Sequence, residues 1–258
     1  MHFSEWPVAA SGYELEEVEG VLYIGPSVPV SQWREYQPEQ RPGLYRVFSR
    51  IQTPEDCLNF ASRYGMLRSK IYAEQVSRWQ AEAKLIREAL TAYRILETGD
   101  FEALEEVVTD RPAVQAQPGA VDWYTVDFEK RGGGLVKRTL NTLAAGGTKE
   151  GALWFHLRRL VNDSLKDNVH VQLQILDGPP ELVTRPANLL GFMWLQLAQE
   201  IVGIRQRRIC QQCGKGFWLV ERGEGRSRTR RDAIYCSGRC KVAAYRKRKA
   251  EASLSTDR

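Results

Sequence analysis

The chain has 258 residues, 43% hydrophobic and 27% charged, enough for one large or two modest domains and too apolar for wholesale disorder. Its net charge of +5 hides a division: residues 1–204 carry 21 basic and 27 acidic side chains, a balance of −6, while residues 205–258 carry 16 and 5, a balance of +11. A uniformly basic protein is thereby excluded, and a polyanion-seeking surface is predicted near the C-terminus.

The first fifty residues read as strands and turns. Val21–Ile24 and Leu44–Phe48 are short β-prone runs separated by Pro, Ser and Gly. The glutamates Glu14, Glu16, Glu17 and Glu19 suit an exposed strand or turn better than a carboxylate site, because nothing nearby supplies a partner. Thr53-Pro54-Glu55-Asp56 predicts a helix start, with a capping hydroxyl, proline at the first helical position and acids at the positive dipole end. Cys57 on that helix reads as a small buried apolar group. Residues 71–97 predict a long amphipathic helix, with Val76, Trp79, Ala83, Ile86, Leu90 and Tyr93 recurring at three and four.

Gly99-Asp100 ends that helix and caps a short one, Phe101 to Val108, and Pro112 and Pro118 then mark a loop. Asp122 to Phe128 predicts a strand. Gly132–Gly134 and Gly147-Thr148-Lys149 lack the order and spacing of a phosphate loop and read as turns. A helix is expected from Thr148 to Leu165, a strand from Val169 to Leu176, and an apolar helix over 186–203 containing Leu189, Leu190, Met193, Trp194, Leu197 and Ile201. The fold class expected is α+β: a helix-rich body over 1–204, a small treble-clef-like zinc finger with a basic helix over 205–250, and a disordered tail over 251–258.

The finger rests on Cys210-Gln-Gln-Cys213-Gly214-Lys-Gly-Phe217-Trp218 and, after 22 intervening residues, on Cys236-Ser-Gly-Arg-Cys240. A Cys-x2-Cys turn brings two sulfurs to one ion, and cysteines four apart at a helix start share one face. Four such ligands suit structural Zn2+ and leave no open position for a catalytic water. An iron–sulfur cluster and spectator thiols explain the paired spacing less well. Phe217 is expected in the finger's small core, and Trp218 and Tyr235 in packing or base stacking.

The surrounding charge points to phosphate. Arg226, Arg228, Arg230 and Arg231 fall in the loop between the cysteine pairs, with the first three on one side of any extended segment. Lys241, Arg246, Lys247, Arg248 and Lys249 fall on the final helix. Zinc with four thiolates contributes about −2, so the surface stays positive. The partner expected is nucleic acid, DNA ahead of RNA, with a protein-interaction module as the third reading.

Cys-x2-Cys-Gly-x-x-Phe, Arg-Arg-x-x-x-Tyr-Cys-Ser-x-x-Cys and a basic helix together resemble bacterial CGNR-type zinc-finger proteins, and Arg185-Pro-Ala-Asn-Leu-Leu-Gly-Phe-Met-Trp-Leu-Gln-Leu resembles the helix leading into such fingers. The resemblance covers residues 185–250. It implies a stress-induced transcription regulator with a helical N-terminal domain. The name-giving Cys-Gly-Asn-Arg is absent, and Lys-Val-Ala follows Cys240.

Other classes are disfavoured. The opening Met1–Pro7 has neither the basic nor the apolar region of a secretory signal, and Leu189 to Ile204 is too short and too polar to span a bilayer. A cytoplasmic protein without a membrane partner is expected. The histidines are His2, His156 and His170, none beside the finger; His156 reads as packed, and no nucleophile, zincin or nucleotide signature occurs, so no enzyme is expected. The body is left with sensing a small-molecule effector or forming a homo-oligomer.

Overall fold

The computed structural model of the protein describes residues 5–27, 32–69, 72–111, 123–129, 138–141, 147–174, 181–203, 206–213, 216–219 and 233–256. The chain divides into two compact units, Met1–Leu197 and Ala198–Arg258.

Short antiparallel strands open the first unit. β1 (Trp6–Ala9) pairs with β4 (Trp33–Tyr36), and β2 (Tyr13–Val18) pairs with β3 (Val21–Pro26), Val18 opposite Val21. That register leaves the two-residue loop Glu19-Gly20, where both φ angles are positive, 52° and 78°. Such a turn matches the right-handed twist of the strands, and glycine takes the second position at no steric cost. The short β5 (Glu74–Gln75) adds to β3. The four glutamates of this hairpin are exposed.

The run Leu44–Phe48, expected as a strand, is instead the short helix α1. Leu44, Tyr45 and Phe48 are buried, a spacing that suits one helical face. Gly43 ahead of them takes the left-handed conformation with φ 79°. Five apolar-rich residues satisfy either period, and tertiary packing decides between them. Gln196 Oε1 accepts from Leu44 N at 3.2 Å and so satisfies an orphan amide of the first turn.

α2 (Pro54–Tyr64) begins as its sequence predicts: Asp56 N donates to Thr53 Oγ1 at 3.2 Å, and Asp56 Oδ2 accepts from Thr53 N at 3.0 Å. A capping side chain of this kind stabilises a helix by about 1 kcal/mol. Cys57 is fully buried, and burial pushes its thiol up to about 12, as befits an inert core group. α3 (Val76–Thr98) buries Val76, Trp79, Ala83 and Ile86, and Gly99 closes it in the left-handed conformation. Trp79, Phe48 and Phe60 meet at ring centroids 5.1–6.2 Å apart, binding α1, α2 and α3 into one core.

Asp100 caps α4 (Phe101–Val107) by accepting from Ala103 N at 3.0 Å. β6 (Val108–Arg111), β7 (Trp123–Val126) and β8 (Arg138–Asn141) then form an antiparallel sheet in that order. The triple glycine 132–134 lies outside the described residues. α5 (Lys149–Lys166) starts at Thr148, whose hydroxyl accepts from Gly151 N at 2.9 Å, and it packs along α3. β9 (Val169–Gln174) and β10 (Glu181–Pro186) form a hairpin, followed by α6 (Leu189–Ile201). Gly191 of α6 sits against Asn168; a Cβ there would lie 2.0 Å from the Asn168 carbonyl oxygen, so this crossing admits only glycine.

The second unit holds the hairpin β11 (Gln206–Ile209) and β12 (Gly216–Leu219), and the helix α7 (Gly238–Thr256). α7 runs past residue 250 to Thr256, into the segment 251–258 for which the sequence predicts a disordered tail. Glu251-Ala-Ser-Leu-Ser-Thr256 contains no glycine or proline to stop a helix. Among the described residues, no helix is long and apolar enough to cross a membrane.

Candidate metal centre

Two local turns bring the finger cysteines together. Cys210 directly follows β11 and Cys213 lies in the turn leading to β12, so the first pair sits on the knuckle of a hairpin. Gln211 N donates to Ile234 O at 3.1 Å, tying that knuckle to the chain just ahead of Cys236. Ser237 then begins α7: its Oγ accepts from Cys240 N at 3.3 Å, and its carbonyl accepts from Lys241 N at 3.1 Å. This cap fixes the turn that separates Cys236 from Cys240.

The four sulfurs all lie within 4.8 Å of one another. Cys213 and Cys236 Sγ are 3.6 Å apart, and Cys236 and Cys240 Sγ are 3.5 Å apart. A disulfide would need about 2.05 Å, and all four cysteines are free. A tetrahedron with metal–sulfur bonds of about 2.3 Å has edges of about 3.8 Å, close to both separations. The donor set and its geometry therefore fit one tetrahedral metal ion. Cys210 is buried, with Ala233, Tyr235, Cys236 and Cys240 packed against it, while Cys213 stands at the surface.

Electrostatics distinguish the thiols. Burial raises the Cys210 thiol, but the backbone N–H groups of Cys236, Cys213 and Gln212 outweigh it and bring it down to about 6. Cys236 moves the other way, pushed up to about 12 by the sulfurs of Cys240 and Cys213. Crowded sulfurs resist collecting several negative charges, and a divalent cation in their midst removes that penalty. Four sulfur donors close the coordination shell, so the arrangement suits holding structure and not activating water.

The predicted phosphate contacts divide by location. Lys241, Arg246 and Lys247 are exposed on α7. Arg248 and Lys249 belong to the same helix, but their side chains lie outside the described set, as does that of Trp218 on β12. Arg226, Arg228, Arg230 and Arg231 lie outside the described residues.

Two features escaped the sequence reading. Ser237 is the cap that shapes the second cysteine pair, and its signal was a serine three residues before Cys240. Val242 and Tyr245 are exposed to 49% and 60% on α7, placing apolar surface beside the cations. Tyr245 follows Lys241 by four residues, which sets both on one face.

Compared with known proteins, the chain matches no family model, no curated protein and no solved structure.

Proposed function

We propose that the protein is a zinc-dependent nucleic-acid-binding protein, and specifically a DNA-binding transcriptional regulator of the CGNR-like kind. Zn2+ at Cys210, Cys213, Cys236 and Cys240 would hold a treble-clef finger, and the first unit would serve as a sensing or assembly domain in a cytoplasmic regulator. The observation that carries the reading is the closed four-sulfur cluster at the start of a helix with exposed Lys241, Arg246 and Lys247. From Gly238 to Ala250 that helix has six basic residues and no acid, so nothing within this stretch offsets the attraction to phosphate.

Zinc supplies rigidity here and no reaction step. The chain's own groups do the rest: Ser237 fixes the helix start, the cations meet phosphates, and Tyr245 offers a ring edge or face to a groove or a splayed base. The deciding experiment is fluorescence anisotropy of the zinc-loaded protein with duplex DNA, single-stranded RNA and structured RNA across a salt series. Duplex binding that weakens steeply with salt supports the proposal, because every neutralised phosphate releases a counterion. Absence of duplex binding at low salt sinks it, and preference for RNA transfers the assignment to RNA.

A further inference from the structure

The first unit contains a cleft of about 300 Å3 between α1 and α2. Two cations line it: Arg50, in the connection after α1, and Arg63, in the last turn of α2. Both are exposed, and among the described residues neither guanidinium has a hydrogen-bond or ion-pair partner. Asn59, also exposed at the cleft, is likewise without a side-chain partner among the described residues. The one carboxylate present, Asp56, is occupied: its Oδ2 accepts from Gln52 N and Thr53 N at 3.0 Å each. The cleft therefore carries two unengaged positive charges against one engaged negative charge.

Beneath the cations the lining is apolar. Phe60 and Ile51 are almost fully buried, and Val47 adds a half-exposed wall. The Tyr64 ring lies 4.8 Å from that of Phe60, tilted by 48°, giving a two-ring surface.

This lining is held rigidly from behind. Arg87 of α3 donates to Ser49 O and Ile51 O, each at 2.9 Å, and Gln80 of α3 donates to Gln52 O at 2.8 Å. The connection carrying Arg50 is thus pinned to α3 on both sides. Pre-organisation of this sort lowers the ordering cost that binding would otherwise meet.

We propose that this cleft binds a small aromatic carboxylate, its ring against Phe60, Tyr64 and Val47 and its carboxylate on Arg50 and Arg63. A guanidinium pair matches the planar, charge-assisted geometry of a carboxylate. A bare inorganic anion would leave the aromatic surface unused, and a neutral apolar ligand would cover the guanidiniums without satisfying them. The volume stands at the small end of ligand sites, which suits a molecule of one or two rings. The proposal is independent of the finger and of nucleic acid.

The test uses the full-length zinc-loaded protein with 2-naphthoate as probe and its uncharged analogue 2-naphthamide as control, followed by calorimetry and saturation-transfer NMR. Expected is saturable 2-naphthoate binding with Kd below about 1 mM and binding of the amide at least tenfold weaker. Arg50→Gln with Arg63→Gln should weaken the acid at least about tenfold while leaving the amide unchanged. Val47→Glu, which sets a repelling carboxylate on the wall, should abolish acid binding. All three positions are exposed, so each variant should keep the parent Tm. No saturation below about 10 mM, equal binding of acid and amide, or indifference to the arginine substitutions would each overturn the proposal.

Discussion

The carboxylate of Glu88 on α3 lies 2.6 Å from Nε2 of His156 on α5, and both side chains are wholly buried. Phe128 covers the imidazole, its ring centroid 5.6 Å away. This contact joins the two long helices of the first unit by a buried polar bond. Such a pair holds its place through mutual satisfaction, and losing one member exposes the cost of burying the other. His156→Leu should therefore destabilise the protein by about 3–5 kcal/mol, and Glu88→Leu with His156→Leu should recover much of that loss. Urea unfolding of both variants decides it; a single variant within about 1 kcal/mol of the parent would show that the pair does not matter to stability.

Ligand loss should act locally. Cys213→Ser is expected to lower bound zinc from about one ion per chain towards zero and to unfold the second unit, while the first unit keeps its cooperative transition. Metal analysis together with amide hydrogen exchange separates the two outcomes. Zinc retained at full stoichiometry would refute the four-sulfur assignment.

A buried carboxyl should give the stability curve a recognisable slope. Glu74 accepts from Arg68 N and Ser69 N at 2.8 Å and from Trp79 Nε1 at 2.9 Å, yet burial outweighs these donors and holds its carboxyl above the ordinary value of 4.5. A group that binds its proton more tightly when folded stabilises the fold fully below the unfolded value and loses that contribution as pH rises through the folded one. Glu74→Gln removes the titration. The stability advantage of the parent over this variant should shrink from pH 4 to pH 7. An advantage that stays constant, or grows, contradicts the assignment.

Gly191→Ala is a steric test. Its Cβ would meet Asn168 O at 2.0 Å, and the same asparagine is already fastened, accepting from Asn188 Nδ2 at 2.9 Å and donating to Ser164 O at 2.8 Å. Neither partner can retreat without breaking a bond, so the substitution should cost more than about 3 kcal/mol or prevent folding. Thermal unfolding resolves this directly; a loss below 1 °C in Tm would mean that the crossing can yield.

The parts legible in the sequence are those encoded by neighbours in the chain. The Cys-x2-Cys and Cys-x3-Cys pairs, the Thr53–Asp56 box and the Asp100 and Thr148 caps each need only three or four residues to specify their geometry. What the sequence hid depends on distant partners. α1 took its helical form in a core shared with Phe60 and Trp79, and Gln196 reaches its first amide across 152 residues. Glu88 and His156 stand 68 residues apart, and neither one alone announces the other. The Arg50–Arg63 cleft likewise involves distant partners, since α3 bonds the connection between α1 and α2 that carries Arg50.

The grouping of the four cysteines into two tight pairs also governs how the finger can assemble. Each pair lies within a single turn of chain, so an ion can be caught by two thiolates before the other two arrive. What remains is closure of the 22 residues between Cys213 and Cys236, and doubling such a span costs only about 0.6 kcal/mol. A change in the length of that span therefore adds little to the cost of closing the cysteine cluster. In such an arrangement each cysteine pair keeps its own local geometry, whatever the length of chain between the two.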